Sequence, residues 1–118
     1  MRLEEELFRI EEGFWLAGAD YFLRHVDANC LLAFPQAGQM HGTYSREGIA
    51  QTATAPNRWR DLRISDRQTL QPTNEVAGIS YRADVLRADG QPYAALVSSA
   101  YVRRDDSWKL TFHQHSPV

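Results

Sequence analysis

The chain has a single cysteine, Cys30, so no intramolecular disulfide can staple it, which is compatible with a reducing compartment. Long hydrophobic runs are missing as well, and the start, Met1-Arg2-Leu3-Glu4-Glu5-Glu6, has neither the basic opening nor the apolar stretch of an export signal. A cytoplasmic location without a membrane anchor is the expectation. Basic charge is not in excess: 13 Lys and Arg face 15 Asp and Glu, a formal charge of -2, which argues against a phosphate-seeking surface. Nucleic acid and membranes are not expected partners. Glycine-rich phosphate loops, paired-cysteine metal motifs, a nucleophile elbow and Ser-His-Asp spacing are all absent. What remains is ordinary globular usage, 43% hydrophobic and 24% charged, in 118 residues. That length fits one domain over residues 1–118 with one core.

Apolar residues in steps of three and four, Leu3, Leu7, Ile10, Phe14 and Ala17, with Phe8, Trp15 and Phe22 interleaved, predict one amphipathic helix over residues 2–25. Glu4, Glu5 and Glu6 suit its positive end, whereas Gly13 and Gly18 each cost it about 1 kcal/mol relative to Ala, so packing must hold it. Cys30 to Phe34 reads as a short strand stopped by Pro35 and followed by a loop with Gly38 and Gly42. Ser45 is placed to cap a short helix that ends by Pro56. From Trp59 the period becomes two. Ala77, Ile79, Tyr81, Ala83 and Val85 alternate with small and polar residues, and Asp89-Gly90 predicts a hairpin into Tyr93–Arg103. Both faces of that next strand are apolar or small, as befits a central strand or one covered on both sides. Asp105-Asp106-Ser107 turns the chain into a last strand. The order predicts an α+β domain with its helices on one face of a curved antiparallel sheet.

Tyr21-Phe22-Leu23-Arg24-His25, the Cys30–Phe34 run before a proline, Ser45-Arg46-Glu47-Gly48-Ile49 and the terminal Trp108–Pro117 segment together resemble the nuclear transport factor 2-like superfamily. More narrowly, they are similar to its domain-of-unknown-function branch near SnoaL-like and ketosteroid-isomerase-like proteins. The resemblance implies a cone-shaped α+β barrel of the cystatin-like type, a cavity inside the cone and a homodimer. It does not imply a reaction, because members use that cavity as an enzyme site, a ligand pocket or plain core. Two departures count against steroid isomerisation. The proton-abstracting aspartate that precedes the proline in ketosteroid isomerases is matched here by Phe34, and, counted without gaps, their hydrogen-bonding tyrosine falls at Ile10.

The expectation for function is therefore a small partly apolar organic molecule bound in the cone, with an acid–base enzyme and a ligand-free homodimeric interaction module as the alternatives. Trp15, Phe22, Phe34, Trp59, Tyr81 and Tyr101 could line such a pocket, or simply fill the core. Ser99, like Ser98, is a small polar residue in an apolar strand, leaving space and offering a hydrogen bond. His113 is the candidate acid or base, since only histidine titrates near neutrality unaided, and Gln114 is a candidate polar anchor at the cavity mouth. Asp20 and Asp27 read as a solvent-facing helix residue and a helix-end turn residue. His113 and His115 leave one strand face together, but a metal site would need a third ligand that His25 and His41 are not evidently placed to give, so neither metal nor cofactor is expected. Strict alternation sets His113 opposite Leu110 and Phe112, which leaves open the face that lines the cavity unless a bulge re-aims the strand.

Overall fold

The structure, a computed structural model, describes residues 2–34, 40–53 and 58–118. Pro35, Gly38 and Pro56, on which the expected strand end, loop and helix end partly rested, lie outside them. Helix α1 (Leu3–Leu16) and helix α2 (Ala19–His25) replace the single expected helix. The break falls where the backbone of Ala17 and Gly18 turns extended, so the second of the two suspect glycines marks the N-terminus of α2 and not a weak point inside a longer rod. Strand β1 (Val26–Ala33) leads to β2 (His41–Ser45), a segment expected to be loop. Gly42, at φ +128°, lies inside that strand, and β2 owes its conformation to antiparallel pairing with β1 and not to its own residues. Ser45 does cap α3 (Arg46–Ala50), its hydroxyl accepting from the Gly48 N–H at 3.1 Å, and a 3-10 turn follows at Gln51–Ala53.

Four long strands complete the fold: β3 (Trp59–Thr73), β4 (Val76–Arg87), β5 (Pro92–Arg104) and β6 (Ser107–Pro117). Asp89-Gly90 makes the expected turn, with Gly90 at φ +88°. Asp105 and Asp106 both take positive φ, the conformation of a tight hairpin whose twist suits its strands. The six strands form one sheet in the order β2-β1-β6-β5-β4-β3. Every pairing is antiparallel except β1 with β6, which is parallel because the chain's first strand enters beside its last.

β4 is the clearest case of period two becoming packing: Ala77, Ile79, Tyr81, Ala83 and Val85 are all buried, and the residues between them are not. β5 follows the same rhythm, burying Ala95, Val97, Ser99 and Tyr101. It is central, and its other face is half-buried to exposed among the described residues, with Leu96 48% exposed. The inner face curves round α1, whose Leu7, Phe8, Phe14 and Trp15 fill the space between helix and sheet. Register shifts at Arg60/Arg63 and Ser65/Gln68, next to Asp61 and Asp66 at positive φ, bend β3. This is an α+β architecture with a curved sheet around its N-terminal helix.

Candidate functional site

One residue of β6 determines what faces the interior. Tyr101 of β5 pairs with Leu110 and Ala100 with Phe112, so Thr111 is a bulged extra residue. The bulge inverts the alternation. Trp108 and Leu110 point inward before it, and His113 and His115 after it, which settles the face left open by strict alternation. Gln114 consequently turns to the outer face, where its amide donates to Ser116 Oγ, so the expected anchor at the cavity mouth is not there.

Beneath α1 lies a buried polar cluster. Glu11 is fully buried, and its Oε1 accepts from Tyr81 OH at 2.8 Å and from Ser99 Oγ at 2.7 Å, while Oε2 accepts from Tyr101 OH. His113 Nδ1 stands 2.7 Å from Ser99 Oγ and 3.2 Å from Glu11 Oε1. Trp15 Nε1 donates to Tyr81 OH at 2.9 Å. Tyr81, Ser99 and Tyr101, candidates for a pocket wall, are instead the partners that hold this carboxylate. Burial pushes the Glu11 carboxyl up, but the His113 hydrogen bond and charge and the Tyr101 and Ser99 hydroxyls outweigh it and hold the group below its ordinary range. Burial, followed by the Glu11 charge, raises Tyr81 and Tyr101 well above the usual phenol range, so both remain donors.

The hydrogens follow from counting donors. Each hydroxyl gives its one proton to Glu11, so His113 Nδ1 must donate. His113 Nε2 lies 2.9 Å from His115 Nε2, and His115 Nδ1 lies 3.0 Å from Tyr93 OH. Burial, then the neighbouring His113, lowers His115 to about 2, so its ring is neutral and carries one N–H. The hydrogen bonds form one continuous row, from Tyr93 through His115 and His113 to Ser99 and Glu11.

His113, His115 and Tyr93 also border a cavity of about 460 Å³. Phe14, Trp15, Phe22, Phe34 and Trp59 supply aromatic wall, so four of the six candidate rings, Trp15, Phe22, Phe34 and Trp59, line it. His115 stacks on Trp15 with centroids 5.1 Å apart and planes 15° apart, and Phe34 meets it edge-on at 4.8 Å. Arg58 and Arg87 are the charged side chains on this wall.

The remaining candidates are dispersed. Asp20 is exposed, and Asp27 pairs with Arg104 at 3.1 Å, whose hydrogen bond lowers its carboxyl. His25 packs on Tyr21 and His41 is exposed; among the described residues no three metal-ligating side chains converge. Cys30 is buried, and desolvation drives its thiol up to about 12, which leaves it inert as a nucleophile. Sequence reasoning missed Glu11. The available signal was its place four residues from both Leu7 and Trp15, a carboxylate set in the apolar stripe of α1.

Solved structures share this architecture. A candidate ketosteroid isomerase from Parabacteroides distasonis superposes with a TM-score of 0.77 over 99% of this chain and 89% of its own, at 15% identity. A protein of unknown function from Prochlorococcus, described as nuclear transport factor 2-like, gives 0.77 over 99% and 94%, at 18% identity. The chain has the nuclear transport factor 2-like fold. The same fold carries the association domain of the Caenorhabditis elegans calcium/calmodulin-dependent kinase II, similar at a TM-score of 0.68 over 95% of this chain and 90% of that one, at 8% identity. No family model matches the sequence, and no curated protein matches it. Fold neighbours with such different descriptions leave function to be argued from the site itself.

Proposed function

We propose that this nuclear transport factor 2-like domain binds a small, partly apolar organic molecule in the cavity between α1, α2 and the sheet. One observation carries the reading: a cavity of about 460 Å³ has aromatic walls and a small set of convergent polar groups, Tyr93, His113 and His115, backed by a fully buried carboxylate. Such a combination suits a ligand with a ring or chain against Phe14, Phe22 and Trp59 and one hydrogen-bonding group at Tyr93 OH, which ends the histidine row. A metabolite screen by thermal shift tests it, since a ligand at 100 times its Kd adds about 2.7 kcal/mol of stability. Leu32→Trp, which pushes a large ring into the cavity, is expected to abolish the shift. Hits that bind the Leu32→Trp protein equally well would refute the reading.

A second reading, acid–base catalysis on the bound molecule, is favoured by the placement of His113 at the cavity beside Glu11 and by the hydrogen-bonded row that ends at Tyr93. Under it, the protein accelerates the entry of solvent deuterium into a bound carbonyl compound, and His115→Phe loses that acceleration. Equal exchange rates with and without the wild-type protein would dismiss it.

The outer sheet face supports a homodimer. Val76 pairs with Val102 there, Phe112 lies beside Ala100 on the same face, and Leu96 is exposed farther along β5 beyond Ser98, with Val76 and Leu96 substantially exposed.

A further inference from the structure

The cavity's charge is one-sided. Its described lining holds two guanidiniums, Arg58 and Arg87, and no Asp or Glu. Glu11, the nearby buried carboxylate, is not among the lining residues and is engaged by Tyr81, Ser99, Tyr101 and His113.

Both arginines have partial structural explanations. Arg58 Nη2 donates to Phe14 O at 3.2 Å and to Ala17 O at 2.9 Å, satisfying carbonyls at the C-terminus of α1, and the group lies 5.5 Å from the centroid of the Phe22 ring. Arg87 lies 4.8 Å from the Tyr93 centroid and 5.6 Å from that of Trp59. Neither explanation supplies a counter-charge. Arg58 and Arg87 have no carboxylate partner among the described residues, which is equally true of Arg9, Arg24, Arg60 and Arg63; what sets these two apart is that they line the cavity. They also belong together. Arg58 immediately precedes Trp59, and Arg87 is the residue paired with Trp59 across β3 and β4. Guanidiniums held by carbonyls and aromatic faces are fixed in place, which is the arrangement that lets their remaining N–H edges grip a carboxylate in a partly dry site.

We propose that the cavity selects organic anions, specifically carboxylates bearing an apolar ring or chain, with Arg58 and Arg87 flanking Trp59 as the anion-binding pair. The proposal rests on the cavity being a ligand site and names the class of ligand. Charge on the ligand would complete the half-buried guanidiniums, while its apolar part lies on Phe14, Phe22 and Trp59. The neutral His115 adds no competing charge, and Tyr93 OH, at the end of the hydrogen-bonded row, can meet a second polar group.

A matched pair of probes tests the class. Binding of 2-naphthylacetate and of 2-naphthylacetamide, the same ring with and without the charge, is measured by isothermal titration calorimetry at pH 7.5 and low salt. The acid is expected to bind at least tenfold more tightly than the amide. That preference should shrink in 0.5 M NaCl and fall to within about twofold in Arg87→Gln, which touches no helix carbonyl; Arg58→Gln is the second variant, its fold checked by circular dichroism. An amide that binds as tightly as the acid overturns the anion proposal and leaves the cavity reading standing. A preference for the acid that survives in both variants overturns the assignment to these arginines. If neither probe binds at millimolar concentration and neither shifts the His115 ring resonances, both the proposal and the cavity reading fall.

Discussion

Glu11 and His115 illustrate how burial converts two ordinary titrating groups into a demand on pH. His115 is ordinarily half protonated at pH 6.5, but burial lowers it to about 2 in the folded chain. The unfolded chain therefore binds more protons than the folded one below pH 6.5, and stability falls as the pH falls. Glu11 acts in the same direction at lower pH, because its folded carboxyl lies below the ordinary 4.5 and its contribution disappears as acid protonates it. From His115 alone, unfolding free energy should drop by about 2 kcal/mol between pH 8 and pH 5, at roughly 1.4 kcal/mol per pH unit once the unfolded imidazole is charged. Urea unfolding at pH 8, 6.5 and 5 measures it. His115→Phe, which keeps a ring on Trp15, should remove most of that slope, leaving the smaller share from His25, whose ring burial also lowers. A wild-type stability that is level across this range would show that His115 is not desolvated as described.

At the scale of elements, the places where sequence reasoning succeeded and failed have a common cause. Periodicity revealed β4, β5 and the Ser45 cap because each depends on residues close in the chain. The bulge at Thr111, the parallel pairing of β1 with β6 and the strand β2 depend on a partner distant in sequence, so their own residues do not declare them. That is why four cavity rings were legible while the direction of Gln114 and the role of Glu11 were not. Gly13 had the same dual character. As a helix residue it is a defect, yet a Cβ there would stand 2.0 Å from Tyr21 Cζ, because the Tyr21 ring lies on the bare backbone of α1 and its hydroxyl donates to Ile10 O at 3.1 Å. Gly13→Ala should therefore destabilise the protein by about 1–2 kcal/mol, overpacking exceeding the gain in helix propensity. In a Tyr21→Ala background the same change should become neutral or stabilising, by up to about 1 kcal/mol. Thermal unfolding of the four proteins gives the cycle, and a stabilising Gly13→Ala in the wild type would contradict the packing of α2 on α1.

For the whole molecule, the curved sheet divides labour between its two faces. The inner face is taken up by the helices, the Glu11 cluster and the cavity. The outer face is substantially exposed among the described residues: Val76 and Leu96 are 41% and 48% exposed, and Leu31 on β1 is 43% exposed beside Phe112 of β6. A two-fold pairing of two such faces would cover the stripe on both copies at once, since each supplies the surface the other needs. Light scattering coupled to size exclusion should then give twice the 13.5 kDa chain mass. Leu96→Lys sets a second positive charge opposite Arg82 on this face and should shift the protein to monomer, while the Trp15 and Trp59 surroundings inside the cone stay unchanged in fluorescence. A wild-type chain that runs as a monomer at micromolar concentration, or a Leu96→Lys protein that remains dimeric, would mean that the exposed stripe is not the contact between copies.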